Sequence, residues 1–228
     1  MLILCDSKMP LKAKVKLSAY GEVVDFATHG ITYEAISGHP DIFFCPTPSG
    51  LIAAPNLPKK YLDILSEHNI PYTTGQFPVG PAYPQTARYN TLVTDTFIIQ
   101  NPDIADPMIA INNAGHKIIP VKQGYVRCNL IALPDESFIT SDHGIEKSLK
   151  QHKLKTLYVD PSPVKLAGFE HGFFGGACGL YMNILFICGS LTFIREKQTV
   201  VEFISEAGVQ IVELYVGNPV DVGTILFL

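Results

Sequence analysis

One order of elements recurs along this chain of 228 residues at roughly 40–55-residue intervals, and a repeated unit must either stack or close on itself. The unit is a short apolar run, a second apolar run, an Asp- or Asn-like stop, a helical stretch and a third apolar run. The clearest copy begins at Asn129 (NLIAL), continues from Ser137 to Asp142 (SFITSD), predicts a helix over 145–152 and ends at Val159 (KTLYV). Another starts at Asn90 (NTLVTD), passes through FIIQN to Asn101 and ends in KIIPV. A third starts at Asp41 with DIFFCP, then GLIAAPN and LPKKYLDILSEHN. The fourth is read from Asn183 as NILFIC, LTFIR to Arg195, TVVEFISEAG and QIVELYV. The N-terminus holds LILCDS, a helix after Pro10 and VVDF, with no first strand, whereas the C-terminus holds only a first strand, Thr224 to Leu228. Joining the two ends completes a fifth unit.

A ring closed by pairing its first and last strands leaves no open edge, as in propellers. The expected architecture is therefore α/β, with five ββαβ units forming one domain over 1–228, about fifteen short strands under five helices. Composition agrees: 47% hydrophobic and 17% charged residues suit strands buried on both faces. The formal charge of −4, with no Lys/Arg run, argues against a nucleic-acid partner. Asn56 and Asn101, with Pro58 and Pro102 shortly after them, are expected to cap helices, and Asn69, Gly115 and Gly208 to stop them.

No apolar stretch reaches the length of about 20 residues that spans a bilayer, and Asp6 arrives too early for a signal peptide's apolar core. The five cysteines show no CxxC pair. A cytosolic, reduced protein without a membrane partner is expected, monomeric or homodimeric. Metal-like spacing is missing among the histidines, so neither a metal nor another cofactor is expected.

Asp41, Asn90, Asn129 and Asn183 each stand one residue before an apolar run, and Asp221 is the nearest fifth member. In a ring these positions form a polar collar around the axis. They either hold a small polar, cationic ligand or only turn the chain. Arg127, like Arg88, precedes a collar Asn by two residues and either clamps a carboxylate or makes a surface ion pair. His171 stands in the glycine-rich stretch GFEHGFFGGACG, which either meets a ligand or serves a tight crossover. Three long connections, 27–40, 76–89 and 160–180, should crowd one end of the ring, which is where a ligand is expected.

Five ββαβ units in a ring resemble the pentein, or guanidino-group-modifying-enzyme, fold. The stretches RCN, ITSD, HGFFGGACG and DVG are similar to an uncharacterised family within that superfamily. The resemblance implies arginine deiminase-like or amidinotransferase-like chemistry built on an acid, a His and a nucleophilic Cys around the channel. It equally implies a noncatalytic alternative, since the superfamily includes a translation factor of similar length. The motifs depart from the enzymes. His171 is followed two residues on by Phe173 instead of Asp, the acid's place reads Arg127-Cys128-Asn129, and the Cys before the last strand is replaced by Asp221-Val-Gly-Thr224. Cys128 or Cys178 as a displaced nucleophile is the weaker reading against two buried structural thiols. The expected function is binding of a small polar, guanidino or amino, ligand in the central channel, with hydrolysis centred on His171 if any occurs.

Overall fold

The computed structural model describes residues 1–228 and contains fifteen strands, five α-helices and several short 3-10 turns. The chain opens with β1 (Leu2–Asp6), α1 (Leu11–Leu17) and β2 (Glu22–Phe26). The second unit is β3 (Phe44–Thr47), β4 (Gly50–Ala53), α2 (Lys59–Glu67) and β5 (Tyr72–Thr74). The third is β6 (Leu92–Val93), β7 (Phe97–Gln100), α3 (Pro107–Asn112) and β8 (Lys117–Pro120). The fourth is β9 (Leu130–Ala132), β10 (Phe138–Thr140), α4 (His143–Gln151) and β11 (Thr156–Tyr158). The fifth is β12 (Cys178–Tyr181), β13 (Ile184–Ile187), α5 (Lys197–Glu206) and β14 (Gln210–Glu213), after which β15 (Leu226–Phe227) returns to the first sheet.

Each unit is a three-stranded sheet whose first two strands form an antiparallel pair and whose third runs parallel to the second. A parallel neighbour cannot be reached by a tight turn, so a helix carries the crossover. The first sheet is assembled from both chain ends. β15 pairs antiparallel with β1 in the register Ile3 to Phe227 and Leu4 to Leu226, and Leu2 and Leu228 exchange two backbone hydrogen bonds of 2.9 Å. The ring is closed as the sequence predicts.

Apolar clusters between adjacent sheets hold the ring together. Ile3 and Leu17 of the first unit share one with Phe186 and Leu214 of the fifth, all at most 2% exposed. At about 25 cal/mol per Å² buried, such side chains supply most of the closure energy. On α2, Tyr61 and Leu65 are buried one turn apart. The Tyr61 ring lies 4.4 Å from Phe26, and its hydroxyl accepts the Ala27 N–H at 2.6 Å, tying the second unit to the first.

The expected stops at Asn69, Gly115 and Gly208 all have positive φ, and Lys153 does the same after α4. The expected caps differ. Asn56 instead exchanges two hydrogen bonds with Val79, and the helix begins after Pro58. Asn101 caps only a turn at Asp103, and α3 starts later, at Pro107, where Asp106 accepts the Met108 N–H. The fourth copy as read from sequence is displaced. NILFIC holds the second strand, not the first, and residues 191–193 are a 3-10 turn. The first strand is Cys178–Tyr181, whose glycine hides it from a search for apolar runs. This correction moves the fifth stop from Arg195 to Ser190, whose hydroxyl accepts the Thr192 N–H at 3.1 Å.

Candidate functional site

The first strand of each unit faces the ring axis, and the segments just before these strands meet in a hydrogen-bonded collar. Asp41 is fully buried there. Its Oδ2 accepts the Thr224 hydroxyl at 3.0 Å, while its Oδ1 has no partner. Asn90, also fully buried, donates to the Asp41 carbonyl at 3.3 Å and accepts the Cys128 N–H at 3.2 Å. Asn129 donates to the Tyr125 carbonyl at 2.7 Å and leaves Oδ1 unpartnered. Asp221 accepts the N–H groups of Gly223 at 3.0 Å and Phe173 at 2.8 Å. Four of the five expected members are thus collar residues. Asn183 is not: it sits exposed in the turn between β12 and β13.

The fifth station carries Gly175 and Gly176 instead. A Cβ on Gly176 would collide with Asp221 Oδ1, and one on Gly175 would lie 2.7 Å from the Cys128 carbonyl oxygen. Glycine is required because neighbouring stations fill the space a side chain would take. No polar side chain marks this position, so the sequence pattern passed over it.

Burial sets the electrostatics. It raises Asp221 to about 7, helped by the charge of Asp41 and opposed by the two amide hydrogen bonds. It raises Asp41 to about 6 against the Thr224 hydroxyl and the Arg127 charge. Two residues that sequence reasoning passed over join this group. His39 lies between Asp6 and Asp221, with Nε2 3.6 Å from the former and Nδ1 3.9 Å from the latter. Burial pushes His39 down to about 3, so the ring is neutral at physiological pH. Asp6 is itself raised by burial. The signal for Asp6 was present, since it holds the Asp/Asn-like stop position of the first unit.

The thiols are quiet. Burial holds both Cys128 and Cys178 well above the ordinary thiol range, and Cys128 Sγ lies 3.4 Å from Asn90 Oδ1. A nucleophilic thiol needs the opposite shift. His171 is half-buried, and its Nδ1 faces the Gly172 carbonyl at 2.9 Å instead of a collar side chain. Arg88 bonds the Pro78 carbonyl within its own loop. No group of three or more His, Cys, Asp or Glu side chains is arranged to hold a metal. No helix is long and apolar enough to cross a membrane.

The two ends of the channel differ. On the side of the long connections, the Tyr33 and Tyr125 hydroxyls meet at 3.2 Å, and Phe169 packs 5.9 Å from the Tyr33 ring. At the opposite end an open cavity of about 340 Å³ enters between the hairpin turns and follows the inner strands inward. Thr47, Asp95 and Glu136 stand at its rim, and Arg127, Gly175 and Thr224 at its floor. The cavity thus opens opposite the end expected from the long connections, and His171 does not line it. At the expected end Tyr33 and Phe169, from two of those connections, pack against each other.

Comparison with known proteins places these features. The model of a family of unknown function, DUF6873, matches residues 4–226. Among solved structures, SxtG, an amidinotransferase of the saxitoxin biosynthetic pathway from Microseira wollei, superposes with a TM-score of 0.52 at 10% identity. That match covers 93% of this chain and 87% of the other. A variant dimethylarginine dimethylaminohydrolase in adduct with S-methyl-L-thiocitrulline gives 0.54 at 12% identity, over 91% and 81% of the two chains. The same kind of enzyme in adduct with 4-chloro-2-hydroxymethylpyridine gives 0.52 at 13% identity, over 93% and 91%. At such identities the likeness is one of fold, and the fold is the pentein ring. No curated protein sequence matches significantly.

Proposed function

The chain belongs to the DUF6873 family, and from that premise we propose that it is a small-molecule binding protein on a pentein scaffold, with a polar ligand held in the central channel. One observation carries this reading. Asp41 Oδ1, Asn129 Oδ1 and Arg127 Nε are buried without any hydrogen-bond partner, and all three belong to the collar. An unpaired buried polar atom costs about 1–3 kcal/mol, and these three, with His39 Nε2 beside them, favour a ligand or water that satisfies them. A guanidino or amino group has Asp41 Oδ1 in its favour.

Catalysis of the amidino-modifying type finds less support. It needs a thiolate, and the two candidate thiols are buried and pushed up, while Asp221 stands before the last strand where the enzyme relatives keep their Cys. In this reading the protein works as one unit over 1–228 in a reducing compartment, where its five free thiols stay reduced. The noncatalytic interaction reading requires a channel that binds nothing.

A thermal-shift panel of guanidino compounds, amines, amino acids and carboxylates tests the proposal. Binding by any one class raises Tm by several degrees at saturating ligand and moves the methyl resonances of Leu92 and Leu130. A folded sample in which no class shifts either observable overturns the proposal and leaves the interaction protein.

A further inference from the structure

The channel's charge is unevenly placed. Of the charged residues that line the 340 Å³ cavity, Asp95 and Glu136 are exposed on its rim, and Arg127 alone lies inside. Arg127 is held on the turn before β9 by its backbone N–H, which bonds the Asn90 carbonyl at 3.2 Å. Its guanidinium donates no hydrogen bond to the protein and forms no ion pair, and its Nε is buried. Asp41, the nearest collar acid, is not within ion-pair distance and lies behind Thr224, whose hydroxyl it accepts. The residue is half-buried, and a charge partly withdrawn from water in this way gains from an opposite charge that meets it. Guanidinium keeps its proton at any physiological pH, so deprotonation offers no escape.

The walls above it are apolar. Leu92, Val93, Leu130, Ile131, Leu180 and Leu185 carry the cavity from floor towards rim. A cavity of this size falls at the small end of ligand pockets, which run from about 300 Å³ upwards. The exposed rim carboxylates are screened by salt, yet they disfavour a ligand with more than one negative charge.

We propose that this cavity binds a small monocarboxylate with an apolar body, its carboxylate paired to Arg127 and its body against the inner strands, entering from the hairpin end. The proposal rests on the channel-binding reading above and deepens it, replacing a cationic ligand by an anionic one at this end. Arg127 holds the acid bidentately through donors that are otherwise idle, which is the geometry that favours guanidinium over ammonium. The pairing forms at a half-buried guanidinium, where salt screens it less than at the exposed rim.

Hexanoate and 4-phenylbutyrate, each compared with its alcohol and its amine, test this on the whole chain by calorimetric titration at pH 7. The acids bind at least tenfold more tightly than the matched alcohols, and the amines more weakly still. Arg127→Gln abolishes the difference between acid and alcohol. Thr47→Trp, at the half-buried mouth, weakens acid and alcohol together about tenfold and keeps the inference testable if the Arg127 variant does not fold. Alcohols or amines binding as tightly as acids would overturn the carboxylate assignment while leaving the channel-binding reading intact. Failure of every probe, with unmoved Leu92 and Leu130 methyl resonances, would overturn the carboxylate assignment; the channel-binding reading falls only if the guanidino compounds and amino acids of the thermal-shift panel fail as well.

Discussion

The two ends of the channel are made by the same five units and yet have opposite character. At the collar, polar side chains from neighbouring units satisfy one another: Thr224 donates to Asp41, Asn90 to the Asp41 carbonyl, and Asp221 takes two backbone N–H groups. At the hairpin end the inner strands diverge around open space with apolar walls. Pseudo-symmetry thus fixes where chains turn and not what a site binds. The collar works as a joint between units, and only its unsatisfied atoms point to a ligand.

The joint can be broken hardest at its glycine. Gly176→Ala drives a Cβ into Asp221 Oδ1, and the carboxylate cannot retreat because Gly223 N–H holds Oδ1 and Phe173 N–H holds Oδ2. We expect a loss of about 4 kcal/mol, roughly 8–16 °C in Tm. Adding Asp221→Gly restores part of it by removing the obstacle. An unchanged melting curve for Gly176→Ala would show the collar to be loose.

Asp41 gives the next effect, through pH. Its proton is held to about pH 6 in the folded protein against 3.8 ordinarily. The folded state therefore binds more protons across that window, and this group makes stability fall as pH rises through it. Asn carries no such proton. Relative to wild type, Asp41→Asn should gain roughly 2–3 kcal/mol between pH 4 and 7. Parallel denaturation midpoints for the two proteins across that range would refute the raised value. His39 acts in the opposite sense, since its lowered value makes stability rise with pH between about 3 and 6.5. Because His39 is present in both proteins, it cancels in the difference.

The smallest effects separate two asparagines that look alike in sequence. Asn90→Ala strands the Cys128 N–H and the Asp41 carbonyl and should cost about 2–3 kcal/mol. Asn183→Ala changes an exposed turn and should stay within about 0.5 kcal/mol. Urea denaturation of both variants checks the contrast, and equal costs would mean that burial does not distinguish the two positions.

How much was legible follows from what each feature needs. The five-unit ring and its closure rest on apolar runs and stops, which are local patterns, and both were readable. The copy read from Asn183 slipped because its first strand, Cys178–Tyr181, contains Gly179, where a Cβ would strike Ile225 and Phe227 of the returning chain. That glycine answers to a partner distant in sequence, which a local apolar count cannot see. The same holds for Gly176 at the collar. His39 showed no pattern, because its environment of Asp6 and Asp221 is assembled from three separate parts of the chain. The open end of the channel was misplaced because loop length reveals neither the side chains that fill an entrance nor the divergence of strands elsewhere. Arg127 was readable as either a carboxylate clamp or a surface ion pair, and its unpartnered Nε was not readable at all.

The pairing of β1 with β15 also has a consequence for synthesis. Ribosomes add about 5–20 residues per second, so the apolar β1 edge waits roughly 10–45 s for its partner at these rates. An unpaired apolar edge invites association between nascent chains. Until Leu226 and Phe227 emerge, a chaperone or a neighbouring polysome copy competes for the place they finally take.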